Sequence, residues 1–236
     1  MGELDLCRTC PVRDRALCCS LADDELCGLK SIVRHRHVSR NQIVCWAGEE
    51  GVICANVVRG IFKISACATD GREQIVGLLY AGDFIGSPTP STNRFTVTSL
   101  TDSTICVIPR PLLETFMRGH AEMERLLLDR TRASLDDARY RILLLARRSA
   151  NARIADFLLD MAARSSRACC RTSGGQDLTF ELELSRGQVA EILGLTNETV
   201  SRGLSRFRQE GLIDLPGGRA IAILNRNALA AIAEAS

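Results

Sequence analysis

The clearest pattern of apolar and polar positions lies near the C-terminus and predicts a short amphipathic helix. Val189, Ile192 and Leu193 fall at i, i+3 and i+4 and give this helix one apolar face. Ser185 precedes it as a candidate N-cap, because its hydroxyl can accept a hydrogen bond from a free backbone N–H of the first turn. Gly194 follows it and can adopt the left-handed conformation that ends a helix.

A second helix is predicted directly after this turn, with Thr196 or Asn197 as its cap. Its apolar residues share one face, and they are Val200, Leu204 and Phe207. The opposite face is polar and largely basic. Two short helices joined by a tight turn are typical of the helix-turn-helix, whose second helix enters the major groove of DNA.

The start of the second helix carries the best candidates for contacts with DNA bases. Glu198, Ser201 and Arg202 lie at i, i+3 and i+4 and therefore share one side of the helix. Arginine can donate two hydrogen bonds to guanine, and glutamate can accept one from cytosine. A solvated, charged helix face is the alternative interpretation, but the capped helix before it favours DNA binding. The full candidate set is Ser185, Arg186, Glu198, Thr199, Ser201, Arg202 and Arg206.

Elsewhere the hydrophobic pattern changes its period. Short apolar runs broken by glycines cover residues 41–109, with a hairpin signal at Asp70–Gly71, and predict an antiparallel β-roll. Further helices are predicted over residues 21–38, 110–148 and 151–165, the second as one long helix with an intermittent apolar seam. Residues 177–184 predict a strand, and the run after the second short helix predicts a hairpin turning at Gly217–Gly218. The predicted class is α+β, ending in a winged helix-turn-helix.

Composition adds little to this picture except for charge. The chain has 236 residues, 46% hydrophobic and 25% charged, which suits a globular protein of two domains. It has no apolar run of the ~20 residues that a membrane span needs and no signal peptide, so we expect a cytoplasmic protein without membrane contact. From Arg139 onward, 14 arginines face 10 acidic residues, although the whole chain carries only +2. Positive charge is thus concentrated beside the predicted DNA-binding helix, where phosphates would lie.

Eleven cysteines are many for a chain expected in a reducing compartment, where disulfides are rare. Four of them, Cys7, Cys10, Cys18 and Cys19, fall within the first 20 residues. Thiolates at this spacing can hold a zinc ion or an iron–sulfur cluster, and chance cysteine richness is the alternative.

Other cysteines need no function of this kind. A buried cysteine usually acts as a small hydrophobic residue, and this interpretation is given to Cys27, Cys45, Cys54 and Cys67. The pair Cys169–Cys170 lies in a polar stretch and has no spacing that indicates a partner.

The chain as a whole resembles the CRP/FNR family of bacterial transcription regulators. The sequence Glu198-x-x-Ser201-Arg202 is similar to the FNR and FixK branch, and the N-terminal cysteine run is similar to that of oxygen-sensing FNR proteins. The resemblance implies a [4Fe–4S] cluster held by Cys7, Cys10, Cys18 and Cys106, the last within DSTICVIPRPLLETF. Cys19 remains a rival to Cys18.

The resemblance also implies a domain division and partners. Residues 1–20 would be a cluster-binding segment, 21–109 a β-roll sensor domain, 110–148 a dimerisation helix and 149–236 the DNA-binding domain. A homodimer would bind a TTGAT-like inverted repeat and act with RNA polymerase. The expected dimer interface comprises Leu127, Leu135, Asp136, Asp137 and Ile142.

The sequence also bears on three other functions. Nucleotide sensing is disfavoured because Pro88 and Pro90 remove backbone donors that a phosphate would need, although Arg94 could still bind one. An iron–sulfur enzyme or electron carrier is disfavoured because no nucleophile–histidine arrangement or glycine-rich phosphate loop is present. A cluster-free, FixK-like regulator stays open.

Overall fold

The computed structural model describes residues 7–67, 73–168 and 178–235. It divides into two compact units, Met1–Ala138 and Arg139–Ser236, and the boundary falls inside a helix. The predicted hairpin signal at Asp70–Gly71 and the Cys169–Cys170 pair lie outside the described residues.

The first unit is built on two antiparallel sheets that confirm the predicted β-roll. Its strands are β1 (Arg34–Val38), β2 (Ile43–Cys45), β3 (Ile53–Arg59), β4 (Phe62–Cys67), β5 (Glu73–Leu79), β6 (Phe84–Ile85), β7 (Thr96–Ser99) and β8 (Ser103–Pro109). One sheet has the order β1-β8-β3-β6 and the other β2-β7-β4-β5. Strand residues alternate between faces, so each sheet contributes one apolar face to a shared core, in which Val57, Phe62 and Ile105 are fully buried.

Helices cover the other face of the β1-β8-β3-β6 sheet. They are a 3-10 turn (Leu17–Ser20), α1 (Glu25–Ile32), α2 (Arg110–Met117) and the start of α3 (Ala121–Arg147). Leu17, Leu29, Leu113 and Met123 from these elements pack with Ile108 of β8 in a second core. The N-terminal segment is therefore part of the folded unit.

The predicted helix over residues 21–38 is wrong in its second half. The helix ends at Ile32, and β1 begins at Arg34 and pairs with β8. The strand reads RHRHV and has four exposed residues out of five, so it shows no apolar alternation. Charged residues on an edge strand discourage pairing with other chains, which explains why a true strand lacks the usual strand pattern.

The predicted single helix over residues 110–148 is also wrong, because the helix is interrupted between α2 and α3. Residues 118–120 form the break, and Gly119 lies at its centre. His120 stabilises it: its ring stacks on Phe116 with centroids 3.9 Å apart, and its Nδ1 lies 2.7 Å from the Phe116 carbonyl oxygen. Apolar residues continue at helical spacing on both sides of residues 118–120, so the sequence pattern does not reveal the interruption.

Two of the four cysteines expected in the core are exposed. Cys45 and Cys54 are buried as predicted, but Cys27 and Cys67 are not. Cys67 ends β4, beyond the part of the strand that the opposite sheet covers. Cys27 points away from the side of α1 that buries its leucines, so the core interpretation was wrong for both.

The second unit contains the end of α3 and a winged helix-turn-helix, as predicted. Its other elements are α4 (Ala150–Ala168), β9 (Leu178–Glu181), α5 (Arg186–Leu193), α6 (Asn197–Gln209), β10 (Ile213–Gly217), β11 (Ala220–Ile223) and α7 (Arg226–Glu234). The strands form one antiparallel sheet in the order β10-β11-β9. The β10–β11 hairpin turns at Gly217 and Gly218, both with positive φ. Among the described residues, no helix is long and apolar enough to cross a membrane.

The turn directly after β6 generates a prediction about stability. Gly86 has φ +93°, and a Cβ added there would lie 2.7 Å from the backbone oxygen of Ile53. Gly48 has a similar φ of +87° but open space around it. Gly48→Ala should therefore cost only backbone strain, about 1–3 kcal/mol of unfolding free energy, and Gly86→Ala should cost clearly more. Urea unfolding followed by fluorescence of Trp46, the single tryptophan, measures both. Equal costs would show that the backbone near Ile53 yields.

Candidate nucleic-acid interface and thiol site

Capping fixes the first helix of the helix-turn-helix. The Ser185 hydroxyl accepts from the Gln188 backbone N–H at 3.2 Å, and the Gln188 side chain accepts from the Ser185 N–H at 2.8 Å. This reciprocal pair satisfies two helix-end donors. At the other end, Gly194 is left-handed, with φ 61° and ψ 41°. Both predicted ends of α5 are confirmed.

Thr196, rather than Asn197, caps α6. Its hydroxyl accepts from the Thr199 backbone N–H at 3.1 Å. The Leu195 N–H donates to the Ala190 carbonyl at 2.9 Å, so the turn between the helices is tied back to α5. The direction in which α6 leaves the turn is therefore set by local hydrogen bonds.

α6 packs on α4 through a contact that the sequence analysis did not identify. Val200, Leu204 and Phe207 are buried as predicted, and so is Gly203. A Cβ on Gly203 would lie 2.6 Å from Cδ1 of Ile154, which is itself fully buried. A larger residue at this position would require the Ile154 side chain to move. The sequence does contain one signal for this contact. Gly203 lies in the middle of a helical pattern, and a glycine at such a position usually has a packing reason.

Arg153 was also missed, and it joins α5 to the end of α3. Its guanidinium donates to the carbonyls of Leu145, Arg148 and Leu193 at 3.0–3.1 Å. The last carbonyls of a helix have no partner inside the helix and gain from a nearby cation. One side chain therefore holds two helix ends and supports the turn at Gly194.

The predicted base-contacting residues lie together on the exposed side of α6. Glu198 and Arg202 have side chains 75% and 72% exposed and form an ion pair at 3.6 Å. An exposed pair of this kind contributes little to stability, so both side chains are available to other partners. Arg186 of α5 donates to the Ser201 hydroxyl at 3.4 Å, which brings this arginine to the same surface.

The other candidates on this surface are engaged within the protein. The Thr199 hydroxyl lies 2.8 Å from that of Thr196, and Arg206 pairs with Glu210 at 2.8 Å. Ser185 serves as the cap described above. Arg208, which was not a candidate, is exposed and pairs with Asp214 at 3.5 Å. The surface thus presents basic groups held by weak, exchangeable ion pairs.

The first unit brings four predicted cysteines together. Cys7, Cys18 and Cys106 pack against the second core, and Cys10, Cys18 and Cys106 pack against a smaller cluster of Val12, Ala16 and Val58. All four are half-buried. They reach one place because the N-terminal segment folds across the sheet that contains β8.

Burial and neighbouring thiols both change the acidity of these groups. Burial raises the pKa of Cys18 to about 11 and that of Cys106 to about 12. Negative charge on Cys7, Cys10 and Cys18 raises the Cys106 pKa further. Cys19 is not among the groups that act on any of them in the described structure.

The four thiols are donors of the type that ligates iron–sulfur clusters. No group of three or more Cys, His, Asp or Glu side chains in the described ranges stands close enough to hold one metal ion. A cluster of several irons is larger, and four thiolates are its usual ligands. Burial raises the pKa of Cys7 and Cys18, and part of this rise is offset by Lys30 and Arg13 at Cys7 and by Arg13 at Cys18. Arg13 also donates at 2.6 Å to the carbonyls of Cys18 and Leu21.

The residues predicted for a dimer interface are mostly exposed on α3. Leu135 and Ile142 are 50% and 67% exposed, and Asp136 and Asp137 are also exposed. Leu127 differs, because it packs against the core of its own unit. Its neighbour Leu128 is 59% exposed instead.

Comparison with known proteins agrees with both units. Residues 152–232 match the Crp-like helix-turn-helix domain, and residues 35–120 match the cyclic nucleotide-binding domain. The transcriptional activator protein FnrL of Cereibacter sphaeroides is 38% identical over 220 residues, 93% of this chain and 88% of that protein. The nitrogen fixation regulation protein FixK of Bradyrhizobium diazoefficiens is 31% identical, over 97% of this chain and 94% of the relative.

A solved structure supports the same fold. FixK2 from Bradyrhizobium japonicum aligns with a TM-score of 0.77 and 28% identity, covering 87% of this chain and 99% of that one. These relatives are regulators rather than enzymes, as the sequence predicted. Given the capped helix-turn-helix, its exposed Glu198-x-x-Ser201-Arg202 face and matches over nearly the whole chain, this protein belongs to the CRP/FNR family and is a DNA-binding transcription regulator.

Proposed function

We propose that this regulator is an oxygen-responsive activator, which binds an inverted-repeat, TTGAT-like site as a dimer while Cys7, Cys10, Cys18 and Cys106 hold a [4Fe–4S] cluster. The observation that carries the proposal is the convergence of these four half-buried thiols. Three come from the N-terminal segment and one from β8. Core packing alone does not require four cysteines at one place.

Protein groups prepare this site for a cluster. Thiols must lose their protons to bind iron; burial raises the pKa of Cys7 and Cys18, and Arg13 offsets part of that rise. The apolar surroundings that raise the Cys106 pKa would also keep water from the bound sulfurs. When bound, the cluster would supply a group that oxygen can oxidise. Cys18 is preferred to Cys19 as third ligand because Cys18 packs against the same two apolar clusters as Cys106.

The alternative is a regulator of the same fold without a cluster. The likeness to FixK and FixK2 gives it weight, since those proteins match this chain along most of its length. Such a protein would respond through thiol oxidation or through its abundance alone. The content of iron and sulfide in protein prepared without air separates the two possibilities.

The exposed stripe on α3 supports dimerisation. Leu128, Leu135 and Ile142 are spaced by seven residues and exposed, as the a positions of a coiled coil would be in a single chain. The intervening d positions are Thr131, Ala138 and Leu145. We therefore place Leu128, rather than Leu127, in the dimer seam. Two-fold symmetry of such a dimer would match an inverted repeat.

Two carboxylates next to the seam would weaken this dimer. Asp136 and Asp137 follow Leu135 directly and are exposed. Across a two-fold axis, like charges oppose association unless they are paired or solvated. Because such a dimer would be only marginally stable, a change at the cysteines could shift the equilibrium between monomer and dimer. By resemblance, DNA-bound dimers would act on RNA polymerase.

Arg202→Ala should weaken specific DNA binding by about 1–3 kcal/mol, because a bidentate contact with guanine is lost. The matched control is Arg118→Ala. Arg118 is 71% exposed and pairs with Glu114 four residues before it, just as Arg202 pairs with Glu198. Anaerobic titration of a TTGAT-like inverted repeat at one salt concentration measures both variants. Equal losses would mean that only overall charge matters.

Cys106→Ser should reduce the iron and sulfide content of protein prepared without air, because one of four ligands is lost. Cys45→Ser is the control, since Cys45 is buried in the core between the sheets, away from the thiol site. Cys18→Ser should lose iron and Cys19→Ser should retain it. Full iron in the Cys106 variant, or the reverse result for the two adjacent cysteines, would contradict the ligand set.

Leu135→Ala should shift the anaerobic protein toward monomers in sedimentation experiments, because it removes apolar area from the seam at both copies of the helix. Burying a leucine is worth about 1.5–3 kcal/mol, so the dissociation constant should rise by roughly tenfold or more. Leu224→Ala, at an exposed leucine outside α3, is the control. A dimer unaffected by the Leu135 change would place the interface elsewhere.

A further inference from the structure

Three separate stretches of the first unit meet at the guanidinium of Arg130. One nitrogen donates to the carbonyl of Arg15 at 2.6 Å, in the segment that carries the cysteines. Another donates to the carbonyl of Gly82 at 2.8 Å, in the turn before β6. Arg130 itself lies on α3. A charged donor makes stronger hydrogen bonds to carbonyls than a neutral one, so this arginine clamps the cysteine segment, the turn and the helix together.

The position of Arg130 along α3 is informative. Met123 and Leu126 pack into the core of the first unit, but residues 131–140 are all exposed. Arg130 is therefore the last residue before α3 leaves the surface of its own unit. It lies about 200° around the helix from Leu128, so it faces the unit while the proposed seam faces outward.

The cysteine segment is also held by apolar packing of Val12, Ala16 and Leu17 and by a further hydrogen bond to the sheet. The Leu17 N–H donates to Oδ1 of the buried Asn56 on β3, at 3.3 Å. Arg13 bonds carbonyls within the segment itself. Gly82 lies against Arg15 so closely that a Cβ there would be 3.0 Å from the Arg15 oxygen. A movement of the segment near Arg15 would therefore act on Arg130 and on the Gly82 turn at once.

We propose that Arg130 is a positioning residue that couples the state of the thiol site to the dimer seam, an inference that rests on the proposed function. With the cysteines held, the Arg15 carbonyl stays in place and the clamp fixes α3 where it leaves the unit. When the cysteines are released, the Arg15 carbonyl is held less firmly and the clamp is weakened, although both hydrogen bonds of Arg130 can still form without a cluster. α3 is then held less firmly just before the exposed stretch that contains Leu135. Ligand-driven change requires such differential contacts in the two states.

The clamp is tested first without iron. Amide hydrogen exchange is measured over residues 12–21 in metal-free wild type, Arg130→Ala, Arg130→Lys and Arg132→Ala. Arg132 is an exposed arginine two residues further along α3 and serves as the matched control. Exchange should be faster in the Ala variant and partly restored in the Lys variant, since an ammonium lacks the fork that spans two carbonyls. Unchanged exchange in Arg130→Ala overturns the clamp.

The coupling is tested with the cluster present and then removed by air. Wild type and Arg132→Ala should show a dimer dissociation constant that rises on air exposure, by roughly 5- to 150-fold for a typical allosteric coupling. Arg130→Ala should contain as much iron as wild type, yet its dissociation constant should change less than half as much on a logarithmic scale. A full response in Arg130→Ala overturns the coupling, and so does loss of the response in Arg132→Ala.

The result for wild type separates the two proposals. If wild type binds no iron, the proposed cluster function is refuted and coupling to it falls as well, while the exchange experiment still decides whether the clamp exists. If wild type binds iron and responds to air, only the comparison of Arg130→Ala with Arg132→Ala decides the role of Arg130.

Discussion

The antiparallel register of β8 determines where the functional groups of the first unit lie. Cys106 stands opposite Asn56 of β3 on one side and His35 of β1 on the other. A slip of one residue would turn Cys106 to the other face of the sheet, where Ile105 fills the core between the two sheets. The same strand passes directly into α2 at Arg110, whose Nε donates to the Gly51 carbonyl at 2.6 Å. β8 therefore carries Cys106 and pairs with Asn56, which binds the Leu17 N–H of the N-terminal segment. The same strand leads through α2 to α3.

In the second unit, the DNA-reading face depends on contacts behind it. Gly203 allows α6 to lie directly on Ile154, and Arg153 fixes the end of α5 by bonding its Leu193 carbonyl. Neither residue could touch DNA from such a position, because one is buried and the other is occupied by carbonyls. The exposed pair of Glu198 and Arg202 can exchange partners at little cost because an exposed ion pair contributes little to stability.

Local signals were enough to predict much of the fold. Ser185 and Gly194 were identified as helix ends because capping involves residues only a few positions apart. β1 was missed because its neighbours in space, on β8, are distant in sequence and its own residues are charged. Cys106 was assigned from resemblance, since no spacing links it to Cys18. The roles of Arg130 and Arg153 have no local pattern at all, because their acceptors are carbonyls that any residue provides.

The composition of the α3 stripe has a consequence for how much of the regulator a cell must make. Leucine and isoleucine occupy the a positions, but Thr131 and Ala138 offer little apolar area between them. A dimer held by this seam would dissociate at low concentration, so its population would rise with the square of the monomer concentration. Doubling synthesis would then quadruple the DNA-binding species while monomers predominate. Expression level would act as a second input to the same promoters, multiplied with the state of the thiol site.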